Sequence, residues 1–228
     1  MRLRATGTLA LGTVLLVACG GAAAQVFVAA EAGRGEQRFE TSYTYASGAA
    51  PDVYHNEATG FSGSLSAGYR FAVPALLGVE VEARLSGSEG AFRLDTVDVY
   101  EGTPRGGPAS LRYAIPWSAG VAVRPTVRLL GPVALVLEGG AGWGLVEQTK
   151  TSATSTRYDR SEWTPWLSVA TGLRLATPEA TWWVEALYRW TWYASYTLTG
   201  AFPDGTAWEA LRDEPEHAFF GLRVGRSF

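Results

Sequence analysis

From Gln25 to Phe228 the chain recurrently alternates in twos between apolar residues and small or polar ones, the period of a strand with two unlike faces. The clearest stretch sets Leu77, Val79, Val81, Ala83 and Leu85 against Gly78, Glu80, Glu82, Arg84 and Ser86. Before it, Leu65, Ala67, Tyr69 and Phe71 oppose Ser64, Ser66, Gly68 and Arg70. After it, Trp117, Ala119, Val121 and Val123 oppose Ser118, Gly120, Ala122 and Arg124. Three more follow: Val133 to Gly144, Leu167 to Leu175, and Trp182 to Trp192. A first strand from about Val26 and a last one from Ala218 to Phe228 bring the number to eight, an even count as single-chain bacterial barrels require.

The connectors alternate in length. Short turns, each with a proline, are predicted at Ala72–Ala75, Pro125–Pro132 and Ala176–Ala180. Long polar connectors are predicted at Ala46–Thr59, Gly87–Arg112, Glu147–Glu162 and Ser195–Glu216. Short turns at one end and long loops at the other are the layout of barrels that span a membrane. A soluble β-sandwich or lipocalin-like barrel also alternates, with its apolar face turned inward, and periodicity alone does not separate these from a membrane barrel. Aromatics near the strand ends favour the barrel. Tyr69, Phe71, Trp182, Phe220 and Phe228 are expected to form a lower girdle, and Trp143, Trp163, Trp190, Trp192 and Tyr196 an upper one.

Both ends of the chain point the same way. Met1-Arg2-Leu3-Arg4 followed by an apolar stretch from Thr8 to Ala18 and by Ala22-Ala23-Ala24 reads as a secretory signal over residues 1–24. A barrel domain over residues 25–228 remains. Leu16-Val17-Ala18-Cys19 also fits a lipoprotein box, in which Cys19 would be lipidated and become the first residue. At the other end Phe220, Leu222, Val224 and Phe228 share one face, broken by Arg226. This strand resembles the last strand of bacterial outer-membrane β-barrels, whose final aromatic is the address read by the barrel-insertion machinery. Arg226 departs from that pattern, and near the rim its guanidinium can snorkel into the headgroups. The whole of residues 25–228 resembles the small eight-stranded group that includes the OmpA transmembrane domain, OmpX and the opacity-type proteins. The resemblance implies an all-β, antiparallel up-and-down transmembrane barrel in the outer membrane, with lipid and lipopolysaccharide as surroundings. With no domain expected after Phe228, it implies no cell-wall tether.

Composition narrows the function. The formal net charge is −3, and loss of residues 1–24 removes two arginines and no acids. An acidic chain lacks the basic footprint that nucleic acid requires. The single cysteine lies in the signal region, and with two histidines in the chain neither a metal site nor a cofactor is expected. His55 falls in the first long connector, and His217 shares parity with the polar face of the last strand. Neither stands in a His-x-Ser arrangement like that of lipid A deacylases, and no Gly-x-Ser-x-Gly occurs. Loop serines such as Ser161 and Ser195 are not placed beside them by any motif, so no catalytic residue is assigned.

The polar faces carry a charge pattern of their own. Strands running one way bring Arg70, Arg124, Arg174 and Arg223. Those running the other way bring Glu31, Glu80, Glu82, Arg84, Glu138, Glu185 and Arg189. An eight-stranded barrel encloses little more than its own side chains, and isolated charges there would be costly. A mutually bonded network is therefore expected, acting as a plug or, in the rival reading, gating a narrow porin-like channel for small or apolar solutes. Function is then expected in the outer connectors, as a structural or surface-interaction role toward an extracellular ligand. One such connector, Tyr196 to Glu216, carries Asp204, Glu209, Asp213, Glu214 and Glu216 against Arg212. Another, Thr149 to Thr156, is small and polar. A third alternates over Phe92 to Tyr100 and would extend its hairpin as an edge able to pair with another chain.

Overall fold

The computed structural model describes residues 24–45, 52–72, 77–100, 103–152, 158–177, 179, 181–201 and 207–228. The signal region and Cys19 lie outside them. The described residues form strands β1 (Ala24–Tyr45), β2 (Asp52–Ala72), β3 (Leu77–Ser88), β4 (Ala91–Tyr100), β5 (Thr103–Leu130), β6 (Val133–Ser152), β7 (Tyr158–Ala176), β8 (Trp182–Tyr193), β9 (Tyr196–Ala201) and β10 (Ala207–Ser227). All pairings are antiparallel, and β1 pairs with β10 to close the sheet. β4 continues β3 after a break at Glu89-Gly90, and β9 continues β8 after a break at Ala194-Ser195. The wall therefore has eight strands in up-and-down order.

The barrel is inverted relative to a soluble protein. Leu65 is 66% exposed and Leu167 61%, while Glu80, Arg124 and Arg223 are essentially sealed from solvent. Apolar side chains thus point out of the wall and charged ones point in. Only a surrounding of lipid rewards that arrangement, because an apolar belt in water forfeits the hydrophobic stabilisation that holds soluble sheets together. The sandwich reading is excluded on the same ground.

Several boundaries differ from expectation. Pro125 does not open a turn: β5 runs through it to Leu130, and the hairpin is made by Gly131 and Pro132, with Gly131 at φ 54°. Pro125 points outward beside Val79, and β3–β5 pairing continues across it. The long polar connectors are largely strand as well, since β1, β2, β4, β5, β6, β7, β9 and β10 all extend beyond the apolar belt. Polar residues on both faces look like loop in sequence, yet above a membrane both faces of a sheet meet water. Most of the acidic side chains between Tyr196 and Glu216, and the segment around Thr154, lie outside the described side chains.

The girdles are also redistributed. Phe220 and Phe228 stand on one strand eight residues apart, which is about 20 Å of height at the usual rise and tilt. Phe220 pairs with Arg34 and Tyr188 and marks the upper edge of the belt rather than the lower girdle. Tyr69, Trp182 and Phe228 are exposed at the lower rim, with Phe71 half-buried there. Arg226 stacks at 5.2 Å over Trp182 and 4.9 Å over Phe228, the posture of a snorkelling arginine. Above, Trp143, Trp163 and Trp192 are exposed, joined by Trp117 and Phe61; Trp190 is half-buried, and the Tyr196 side chain lies outside the described residues.

Glycines on the inner face make room for inward aromatics. A Cβ on Gly225 would meet the Trp183 ring at 2.1 Å. Gly225→Val is expected to displace that indole and cost about 1–3 kcal/mol, read as a lowered urea midpoint of the refolded barrel.

Candidate functional site: a charged lumen between two apolar seals

Because inward positions recur every second residue, the register of neighbouring strands decides which charges meet. β1 and β10 align Glu31 with Arg223, β2 and β3 align Arg70 with Glu80, β3 and β5 align Glu80 with Arg124, and β7 and β8 align Arg174 with Glu185. All eleven residues singled out by parity are in the lumen. Six guanidinium groups and five carboxylates interlock there, far more than the register pairs alone require.

Glu138 is the upper hub. Its oxygens accept from Arg84 at 2.8 and 2.7 Å and from Arg189 at 2.8 and 3.2 Å, and Arg124 lies at 3.1 Å. Arg189 also donates a bidentate pair to Glu31 at 2.8 and 2.9 Å. Arg223 reaches Glu31 at 2.9 Å and pairs with Glu82, which Arg84 also contacts. Glu80 is the lower hub, taking Arg174 at 2.5 and 2.9 Å and Arg70 at 2.8 Å. Arg124 bridges Glu80 and Glu185 across the axis, and Arg174 also holds Glu185 at 2.9 Å. Planar forks bind two carboxylates at once, which the compact ammonium of lysine does less well.

Below the network lies an apolar seal that the charge pattern did not announce. Trp183 is buried against Phe27, with ring centroids 6.3 Å apart in an edge arrangement. Arg174 stacks at 4.1 Å over Trp183, Arg223 at 5.2 Å and Arg70 at 5.6 Å. Above the network Phe39, Tyr113, Ile115, Val146, Trp166 and Tyr193 form a second cluster, with Phe39 and Tyr113 rings 5.0 Å apart. Gln37 ties this seal to the wall: its side-chain oxygen accepts from the Ile115 N–H at 3.0 Å, and its Nε2 donates to Ser88 at 3.0 Å. Gln148 donates to the Tyr113 hydroxyl at 2.8 Å. Parity already carried the signal, since Trp183 shares a face with Glu185, and Trp166 with Ser168.

Between the network and the upper seal is a cavity of about 40 Å³ lined by Glu31, Ser64, Arg84, Arg189, Thr191 and His217 among others. By that measure it holds roughly three waters. His217 points into it, 3.4 Å from the Ser62 hydroxyl, whereas His55 stands outside beside Glu40 at 3.5 Å. Phe220, Leu222, Val224 and Phe228 all project outward from β10.

No family model matches the chain, and no curated protein does. Solved structures do. The Escherichia coli outer membrane protease OmpT is similar over 90% of this chain and 97% of its own, with a TM-score of 0.53 and 8% identity. Neisserial surface protein A (NspA) is similar over 90% and 99%, with a TM-score of 0.45 and 16% identity. The outer membrane protein AlkL is similar over 90% of both chains, with a TM-score of 0.46 and 14% identity. The likeness to OmpT shows the fold, that of the bacterial outer-membrane β-barrels.

Glu138→Ala leaves Arg84, Arg189 and Arg124 facing a void that carries no charge. Breaking a buried ionic cluster on one side costs about 3–5 kcal/mol. Urea unfolding of the refolded barrel is expected to register a loss of that size, and an unchanged midpoint would contradict a structural network.

Proposed function

We propose that this chain is a non-enzymatic barrel of the outer membrane whose lumen is closed and whose outer strands carry a structural or surface-interaction role. The observation that supports this best is the threefold obstruction along the axis: the Phe27–Trp183 seal, the arginine–glutamate network, and the cluster around Phe39 and Tyr113. A conducting pore needs a continuous wet path, and each of these layers removes one. The rival reading, a narrow porin-like channel, has only the small cavity between the second and third layers in its favour.

A lipid A-modifying activity is disfavoured by placement. His217 and Ser62 face the lumen, so an acyl chain in the surrounding leaflet does not reach them. The outward face instead offers lipid and lipopolysaccharide an apolar belt with aromatic rims. An export signal over residues 1–24, or lipidation at Cys19, belongs to this same reading. So does recognition of the outward Phe220, Leu222, Val224 and Phe228 by the insertion machinery.

Single-channel recording of the refolded, purified protein in a planar bilayer tests the closed lumen. A silent membrane containing heat-modifiable, folded barrel is expected. Reproducible conductance steps that change with Glu138→Ala would replace this reading with a pore gated by its ionic core.

A further inference from the structure

Above the membrane the barrel does not stay closed. β3 pairs with β2 up to Ser62–Ser88, and one further bond runs from the Glu89 N–H to the Phe61 carbonyl at 2.9 Å. Beyond it β4 pairs with β5 alone, and among the described residues no ladder joins β4 to β2. On the opposite side the Ala194 N–H bonds the Pro165 carbonyl at 2.8 Å, after which β9 pairs, among the described residues, only with β10. The wall thus divides into two four-stranded leaves, β9-β10-β1-β2 and β4-β5-β6-β7. They press together through Phe39 and Tyr113 and leave a slot on either side.

The slot between β2 and β4 opens from a tight crotch, where a Cβ on Gly60 would lie 2.6 Å from the Gly90 nitrogen. Along a regular strand the backbone groups of alternate residues point to the same side. The Phe61 carbonyl faces β3, and the β1–β2 register is unbroken from Asp52 to Phe71. The N–H and C=O groups of Val53, His55, Glu57 and Thr59 therefore face the slot. Natural edges are blunted with proline, lysine or bulges. The β2 run Asp52-Val53-Tyr54-His55-Asn56-Glu57-Ala58-Thr59-Gly60 contains neither proline nor lysine and its ladder with β1 carries no bulge, whereas the β4–β5 ladder shifts register between Val97 and Val99, which leaves β2 as the regular edge.

A second feature points to an occupant. Asn56 is on the inner face of β2 and 8% exposed, yet its side-chain Nδ2 has no hydrogen-bond partner. A buried amide donor left unpaired costs about 1–3 kcal/mol unless something fills it. Beside it, Ala58 and Gly60 leave the inner face of the slot shallow.

We infer that this slot receives an extended segment of a partner polypeptide, which adds to the β2 edge as a strand and offers an acceptor side chain to Asn56. The inference rests on the surface-interaction reading above. Main-chain bonds to Val53, His55, Glu57 and Thr59 supply affinity without regard to sequence, and the inner face selects small residues with one hydroxyl, amide or carboxylate opposite Asn56.

Random ten-residue peptides displayed on phage, panned on the refolded full-length protein in detergent micelles, provide the probe. Enriched peptides are expected to bind Glu57→Pro at least tenfold more weakly. That change deletes an N–H pointing into the slot and spares the β1–β2 ladder. Glu57→Gln keeps the N–H and is expected to bind like wild type, while Asn56→Ala weakens binding several-fold. Heat-modifiability confirms that each variant is folded. No enrichment over empty micelles, or equal binding to Glu57→Pro, would overturn the inference. So would a concentration-dependent dimer, seen by sedimentation and lost in Glu57→Pro, because the slot would then pair two copies of this chain. None of these outcomes bears on conductance, so the closed-lumen reading stands or falls separately.

Discussion

A narrow barrel with an apolar outside has nowhere to put its polar faces except against one another. The interior of eight strands is too small for bulk water to solvate eleven charged side chains, so every carboxylate must find guanidinium partners and every guanidinium its carboxylates. That requirement explains why the buried cations of this network, among the described residues, are all arginine. It also ties closure to register. A one-residue slip between β1 and β10 would turn Glu31 or Arg223 toward lipid and bring apolar residues inward. We propose that the ionic core acts as a specificity device as much as a source of stability, since hydrophobic side chains of similar volume can match such a core in energy.

The same period of two made this core legible from sequence. Once alternation places Glu80 inward, Arg70 and Arg124 follow from the turn lengths on either side, and Arg223 meets Glu31 because closure leaves no other neighbour. What parity does not give is height. Phe220 and Phe228 share a face, yet the strand carries them to opposite edges of the belt. Nor does it give which connectors fold. Above the belt the outer face of β1 carries Arg34, Glu36 and Arg38, so its alternation of hydrophobicity fades even though the β1–β2 and β1–β10 ladders run on. Pro125 misled for a related reason. A proline on a wall strand removes one donor, and the pairing on either side tolerated that loss.

The seals above and below were hidden by their ordinary composition. Trp183, Phe27, Phe39 and Tyr113 are aromatic residues in a protein already rich in them, and only their parity marks them as inward. Their position has a consequence for the upper half. Where the charged core ends, the lumen must either fill with water or collapse. Phe39 and Tyr113 collapse it, drawing β1 toward β5 and flattening the extramembrane wall into two leaves. The split between β2 and β4 is then the geometric cost of that closure, because a flattened tube cannot keep all of its edges bonded.

The network holds one more cation than anions, and the structure shows where the excess sits. Glu31, Glu82 and Glu138 draw on Arg84, Arg189, Arg223 and Arg124 in the upper part. Below, Glu80 and Glu185 are shared by Arg70, Arg174 and Arg124, with Arg70 the most exposed of the six. There the Trp183 face lies under Arg174, Arg223 and Arg70 together, and the Phe27 ring lies under Arg223 at 5.9 Å. The negative face of an indole is the strongest aromatic partner for a cation. Trp183 thus does two things with one side chain: it shuts the periplasmic end of the lumen, and it compensates the positive charge that the carboxylates leave over.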